Sequence, residues 1–217
     1  MKTLVVGDLH GKYEIVEEVL AMDMPTIFVG DYLDSFDRSV EDQIRTLTLV
    51  LDAIESNKAI GLMGNHELSY LRQGMRCSGY KGATAAHVIH LAERMHKLLL
   101  PFVRVEGFLI THAGISVYML QHKGLTVEEY LEKGEHYDIG GCRGGSSHLG
   151  GLYWNDYNFE FVPVPGVNQI FGHTASQEGI REVDNNWCID GLDYVRQILA
   201  IENGTAERCS LKRIYGV

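Results

Sequence analysis

Apolar residues along this chain gather into short, bounded runs rather than long stretches. Five stand out: "TLVVG" at 3–7, "TIFVG" at 26–30, "AIGLMG" at 59–64, "FLIT" at 108–111 and "QIFG" at 169–172. Each is rich in β-branched or aromatic residues and closes on a glycine or a polar residue, the pattern of a buried strand. Between the early runs the apolar period changes to that of a helix. Ile15, Val16, Val19 and Leu20 make one face, and Val40, Ile44, Leu47, Leu51 and Ile54 make a longer one. Residues 84–100 predict one further helix with Val88, Leu91, Met95 and Leu98 inward. Residues 125–133 predict another, capped by Thr126 with Glu128 and Glu129 in its first turn. The glycine-rich 134–151 reads as a loop. From 187 on, "WCID", "VRQILAIE" and "AERCSLKRIYG" read as strands, with turns at Asp190–Gly191 and Asn203–Gly204, the latter closing a hairpin. Strands alternating with helices imply βαβ units and an α/β fold, here expected as one domain over 1–217.

Composition narrows the class. The chain has 217 residues, 45% of them hydrophobic and 22% charged, which is ordinary for a globular protein. No segment approaches the apolar length of a membrane span, and Asp8 cuts short the apolar run near the start, so no membrane partner is expected. A net charge of −10 speaks against gripping long nucleic acid through many phosphates. It leaves a phosphate-bearing substrate open, because bound cations reverse the local sign. The four cysteines, Cys77, Cys142, Cys188 and Cys209, are scattered and read as reduced thiols of a cytoplasmic protein.

The chemistry lies where the apolar runs end. Run one ends in Asp8 and His10, and run two in Asp31 and Asp34. Run three ends in Asn65, His66 and Glu67, run four in His112 and run five in His173. Ligands of open α/β sheets bind beyond the carboxyl ends of the strands, so aligned strands would bring all five endings into one site. Carboxylates packed among imidazoles are costly without cations between them. A mixed oxygen and nitrogen set without thiolate suits Mn, Fe or Zn, and its size suits two ions bridged by one Asp. Gly7, Gly30, Gly64 and Gly172 stand just before polar endings, where backbone can approach a ligand closely.

The segments "GDLHG", "GDYLD", "GNHE", "THAG" and "FGHT", in this order, resemble the calcineurin-like metallophosphoesterase superfamily. "YWND" and "CIDG" are similar to the bacterial and phage serine/threonine phosphoprotein phosphatases, the phage lambda phosphatase-like branch. Diadenosine tetraphosphatases are also similar. The resemblance spans about residues 4–191 and is weaker over 75–105. It implies a two-layer β-sandwich flanked by helices, with a helical insertion near 75–100. It also implies two divalent metal ions, manganese first, with iron, zinc or nickel as alternatives. Asp8 and His10 would bind one ion, Asp31 would bridge, and Asn65, His112 and His173 would bind the other. His66 would be the general acid, oriented by Asp34, while a metal-bound hydroxide attacks phosphorus.

Two departures concern the phosphate. The family's Asp at the place of Asp34 is followed at once by Arg and Gly, whereas this chain runs "DSFDRS". Asp156 stands where the phosphatases usually carry an arginine. Arg38, Arg72 and Arg143 are therefore the phosphate-binding candidates. His87, His90, Arg94 and Lys97 form a stripe that reads as a solvated helix face rather than a lid, and His148, Trp154 and Tyr157 could reach a substrate or merely pack. The expected activity is a phosphomonoesterase, in the first place a serine/threonine protein phosphatase of the phage or bacterial kind, with a phosphorylated substrate that is a phosphoprotein or a nucleotide. The rivals are a nucleotide hydrolase and a catalytically weak metal-binding scaffold.

Overall fold

The computed structural model describes residues 2–134 and 136–211. In chain order the elements are β1 (Thr3–Val6), α1 (Tyr13–Leu20), β2 (Thr26–Phe28), α2 (Val40–Glu55), β3 (Ala59–Gly61) and α3 (Asn65–Leu71). Then come α4 (Gly82–Val88), α5 (Ala92–Leu98), β4 (Phe102–Val105), β5 (Phe108–Thr111), α6 (Val117–Lys123) and α7 (Val127–Lys133). A 3₁₀ turn (Gly141–Arg143) precedes β6 (Asn168–Phe171), β7 (Arg181–Val183), β8 (Asn186–Cys188), β9 (Gln197–Glu202) and β10 (Thr205–Ser210).

The strands form two mixed five-stranded sheets, ordered β10-β9-β1-β2-β3 and β4-β5-β6-β8-β7. The period-2 alternation of a strand decides what each face meets. In β1 and β2, Val5 and Ile27 turn toward the other sheet and pack with Phe108, Ile110, Ile170, Leu199 and Ile201. Leu4, Val6 and Phe28 turn the other way, onto Ile15, Val16 and Val19 of α1 and Leu47, Val50 and Leu51 of α2. The result is a two-layer sandwich with helices outside it. Within it β1, β2 and β3 run parallel, as do β5, β6 and β8.

α2 starts on a full capping box, with Ser39 Oγ accepting from Asp42 N and the Asp42 carboxylate accepting from Ser39 N. The closing hairpin turns on Asn203 and Gly204, both at positive φ (52° and 75°), as a two-residue primed turn requires.

The expected helix over 84–100 is two helices, α4 and α5, separated by a turn at 89–91 that leaves Ile89 exposed. Val88 and Met95 are still buried, so one apolar face survives the break and disguises it in the sequence. The expected last strand, 206–216, is seen as β10, and 212–217 lie outside the described residues. No described helix is long and apolar enough to cross a membrane.

Candidate active site

The polar endings of β1, β2, β3, β5 and β6 meet at one edge of the sandwich. The backbone there is unusual: His10, Asp31, Asp34 and His173 all have positive φ (42°, 54°, 61° and 68°). A non-glycine residue in this region costs roughly 1–2 kcal/mol, so the surroundings must hold each one in place. Leu9 and His10 donate their amides to Asp31 O at 3.0 and 2.8 Å, which ties the first loop to the second. The buried Glu67 carboxylate accepts from the amides of Asp31 (2.8 Å), Tyr32 (2.8 Å), Leu33 (3.3 Å) and Gly64 (3.1 Å). Gly30, at φ 112°, lies against Gly64 and the His112 ring. At Gly64 a Cβ would collide with Asp31 and Glu67.

Asp31 stands at the centre. Its Oδ2 lies 4.0 Å from His10 Nε2, 3.8 Å from His66 Nε2 and 3.4 Å from His112 Nε2. Two groups of potential metal ligands share it: His10, Asp31 and His66, and Asp31, His112 and His173. Asn65 Oδ1 joins the second group, 2.8 Å from His112 Nε2 and 3.0 Å from His173 Nδ1. Asp8 closes the other side and accepts the His173 amide at 3.0 and 3.2 Å.

Donor chemistry fits a pair of cations. The Nδ1 atoms of His10 and His112 face backbone carbonyls, Leu33 O at 2.7 Å and Val29 O at 2.9 Å. A neutral ring donating from Nδ1 turns a bare Nε2 lone pair inward, as a metal-binding imidazole does. His112 Nε2 meets two acceptors, Asn65 Oδ1 and Asp31 Oδ2, so a proton or a cation has to stand between them. Burial opposes charge on this ring, but Asp31 outweighs it and raises the His112 pKa. Four acids, Asp8, Asp31, Glu67 and Asp190, are buried around the same point. Burial, then the charges of Asp190 and Asp31, push Asp8 well above the usual carboxylate range. Burial and the Asp31 charge lift Asp190 to about 7 and Glu67 to about 7. Cations would relieve this repulsion, and the chain supplies them with carboxylate, amide and imidazole ligands.

His66 differs from its neighbours. Its Nδ1 lies 3.0 Å from Asp34 Oδ2. The other Asp34 oxygen accepts from the Tyr70 hydroxyl, and Asp34 N donates to Gln43 Oε1 at 2.9 Å. Burial opposes charge on the ring, yet Asp31 and Asp34 raise the His66 pKa to about 9.

These groups open into a cavity of about 730 Å³, lined also by Phe36, Arg76, Cys77, Arg143, Trp154, Asp190 and Tyr194. The 3₁₀ turn delivers Arg143 to the wall, where Nη2 pairs with Asp156 Oδ2 at 2.6 Å and approaches Thr174 Oγ1 at 3.4 Å. Arg38 and Arg72 are placed elsewhere. Arg38 reaches back to Glu14 on α1 at 2.6 Å, and Arg72 lies over the Tyr137 ring at 3.6 Å. Sequence reasoning missed Arg76, which has no motif around it. It also read Asp190 only as part of a turn, although "WCID" is one more strand with a polar ending. The stripe on α4 and α5 faces outward, with Arg94 paired to Asp52 and Glu55 of α2. His148 lies beside His122, Tyr157 stacks on Phe161, and Trp154 meets the His173 ring edge-on.

A model of the calcineurin-like phosphoesterase family matches residues 1–177. The chain belongs to this family. No curated protein matches it. Among solved structures, a mutant cold-active protein tyrosine phosphatase is similar, with TM-score 0.66 and 16% identity over 97% of this chain and 80% of that one. The cold-active protein-tyrosine phosphatase of a psychrophilic Shewanella gives TM-score 0.62 and 17% identity over 95% and 80%. A protein serine/threonine phosphatase from Saccharomyces cerevisiae gives TM-score 0.62 and 13% identity over 98% and 81%. At such identities these structures share the fold alone. With the family, the strand-end cluster is a metal-dependent phosphoesterase active site with two candidate metal positions.

Proposed function

We propose that this calcineurin-like phosphoesterase hydrolyses phosphate monoesters, with a phosphoprotein as substrate. The observation that carries the reading is the His66–Asp34 pair set directly against the Asp31-centred ligand cluster in one cavity. Asp8 and His10 would hold one divalent ion, Asn65, His112 and His173 the other, and Asp31 both. Manganese suits this mixed oxygen and nitrogen set. When bound, the ions supply an activated water and positive charge opposite the phosphoryl oxygens.

The chain's own groups do the rest. Asp34 fixes the His66 ring through Nδ1 and favours its protonated form, which leaves Nε2 facing the cavity for the leaving oxygen. That same preference for the proton makes His66 a poorer metal ligand than His10, whose pKa burial and the His66 charge lower. Arg143, held by Asp156, takes the phosphoryl oxygens, so the acid at the place of a family arginine supports an arginine from the loop. Four unpaired cysteines favour a reducing, cytoplasmic setting. The neighbours in fold are described as protein phosphatases, which favours a phosphoprotein over a nucleotide.

The test is turnover of p-nitrophenyl phosphate and of a phosphopeptide with Mn²⁺, with bound metal measured in parallel. His66→Asn should keep its metal and lose roughly 10²-fold or more in kcat, most for poor leaving groups. Metal-loaded protein without turnover across about pH 6–9 would end the catalytic reading.

A further inference from the structure

We propose that Tyr70 is a positioning residue for proton delivery, its hydroxyl locking Asp34 so that the other carboxylate oxygen holds His66. The inference rests on the assignment of His66 as general acid. Tyr70 lies on the last turn of α3, one helical turn beyond His66, so its side chain projects along the same face. Its hydroxyl donates to Asp34 Oδ1 while Asp34 Oδ2 takes His66 Nδ1.

Direction matters in this chain of bonds. The phenol oxygen already accepts the Lys81 amide at 3.4 Å, which leaves its single proton for Asp34. Burial, and then the bond to Asp34, hold the Tyr70 phenol well above its ordinary range, so it stays a donor wherever the enzyme works. The ring is fixed as well. It stacks on Tyr80 at 4.7 Å, in a segment tied back to the site at two more points. Gly79, at φ 83°, packs directly against Asp34 O, and Cys77 Sγ exchanges contacts of 3.2 Å with Asn65 Nδ2 and Asn65 O. The Asp34 side chain is held at both oxygens, by Tyr70 at Oδ1 and by His66 at Oδ2. A carboxylate with both oxygens engaged cannot rotate away from the imidazole, and the His66 proton remains aimed at the leaving oxygen.

Tyr70→Phe keeps the ring stack and removes one oxygen. In Zn²⁺-loaded wild type, proton NMR should show a downfield His66 Nδ1 proton in slow exchange with water, assigned by its loss in H66N. It should also show a slowly exchanging Tyr70 hydroxyl proton. In Y70F the Nδ1 proton should exchange at least about tenfold faster, with the amide spectrum retained. Absence of the hydroxyl resonance from wild type, or an unchanged Nδ1 proton in Y70F, overturns the proposal, and the first of these holds even if Y70F fails to fold. In turnover, Y70F should lose about tenfold in kcat on phenyl phosphate and clearly less on p-nitrophenyl phosphate, with KM and bound metal unchanged. Equal losses on both, or loss of metal, make Tyr70 merely structural. A wild type that hydrolyses neither substrate defeats the proposed function, and the NMR result still decides on Tyr70.

Discussion

Glu67 carries more of the site than any ligand does, although it faces no cavity. Its two oxygens satisfy four amides from the ends of β2 and β3, including that of Asp31. Glu67→Gln replaces one acceptor oxygen with a donor, which leaves a pair of buried amides facing an N–H. It also removes a charge that repels Asp31. With cations bound, Asp31 is already compensated and that relief is small, so the orphaned donors decide the outcome. The metal-loaded variant should be destabilised by about 2 kcal/mol or more, read as a lower urea midpoint with unchanged slope. A change within about 0.5 kcal/mol would show that the clamp is dispensable. In the sequence Glu67 is one of the polar residues that end the third apolar run, and its bonds to other backbone segments leave no local trace. The residues around it were legible for the opposite reason. Asp8, Asp31, Asn65, His112 and His173 each follow a buried run, and strand direction brings them to one edge. The arginines follow no such rule. A long side chain goes to whatever partner the fold brings near, so Arg38 found Glu14, Arg72 found Tyr137 and Arg143 found Asp156.

Among the elements, the junction of β3 and α3 leaves no room for a side chain at Gly64. Gly64 has φ −98°, which any residue can adopt, so its requirement is space and not conformation. A Cβ there would meet Asp31 and Glu67 at less than contact distance. Gly64→Ala should therefore part the β2 and β3 endings, at a cost of about 1–3 kcal/mol for overpacking. The larger effect falls on the site, where a shift of about 1 Å removes roughly 10²-fold in rate. Turnover and metal titration of G64A, compared with its circular dichroism, would separate the two. Normal metal binding and rate would show that the strand endings tolerate the displacement. Elements that build this junction were legible because their apolar periods are strong. β4 and β7 were not, because "FVRV" and "REV" are short, half-exposed edge strands whose polar residues blur the alternation. The break between α4 and α5 escaped because Val88 and Met95 keep a single face across it.

At the scale of the molecule, two sheets bring five strand ends to one edge, and the cost is concentrated charge. Without cations, Asp8 lies well above the usual carboxylate range, and Asp190 and Glu67 are lifted to about 7. A carboxyl whose folded pKa is raised binds a proton more tightly folded than unfolded. Its contribution is complete at low pH and is lost as pH rises from about 4 to about 7. His66, raised to about 9, loses its contribution later in the same direction. His10 and His173 oppose this, because burial lowers them and their penalty disappears as pH rises through about 6.5. Metal binding changes the balance, since the ligand acids must be ionised before they coordinate. At about pH 6 Asp190 still holds a proton that an incoming ion has to expel, and burial beside Asp190 and Asp31 favours the protonated form of Asp8 as well. At about pH 8 Asp190 is ionised, so less proton has to be expelled and the site is closer to its bound state. Burial disfavours the charged forms of His10 and His173, so these rings oppose the carboxylates less than free imidazoles would. The rise in Tm on adding a fixed excess of Mn²⁺ should therefore be clearly larger at about pH 8 than at about pH 6, and chelation should cost more at the higher pH. Calorimetry in two buffers of different ionisation enthalpy should register proton release on binding at about pH 6 and less of it at about pH 8. A Tm increment equal at both, or larger in acid, would place the ions away from the Asp8–Asp31–Asp190 cluster.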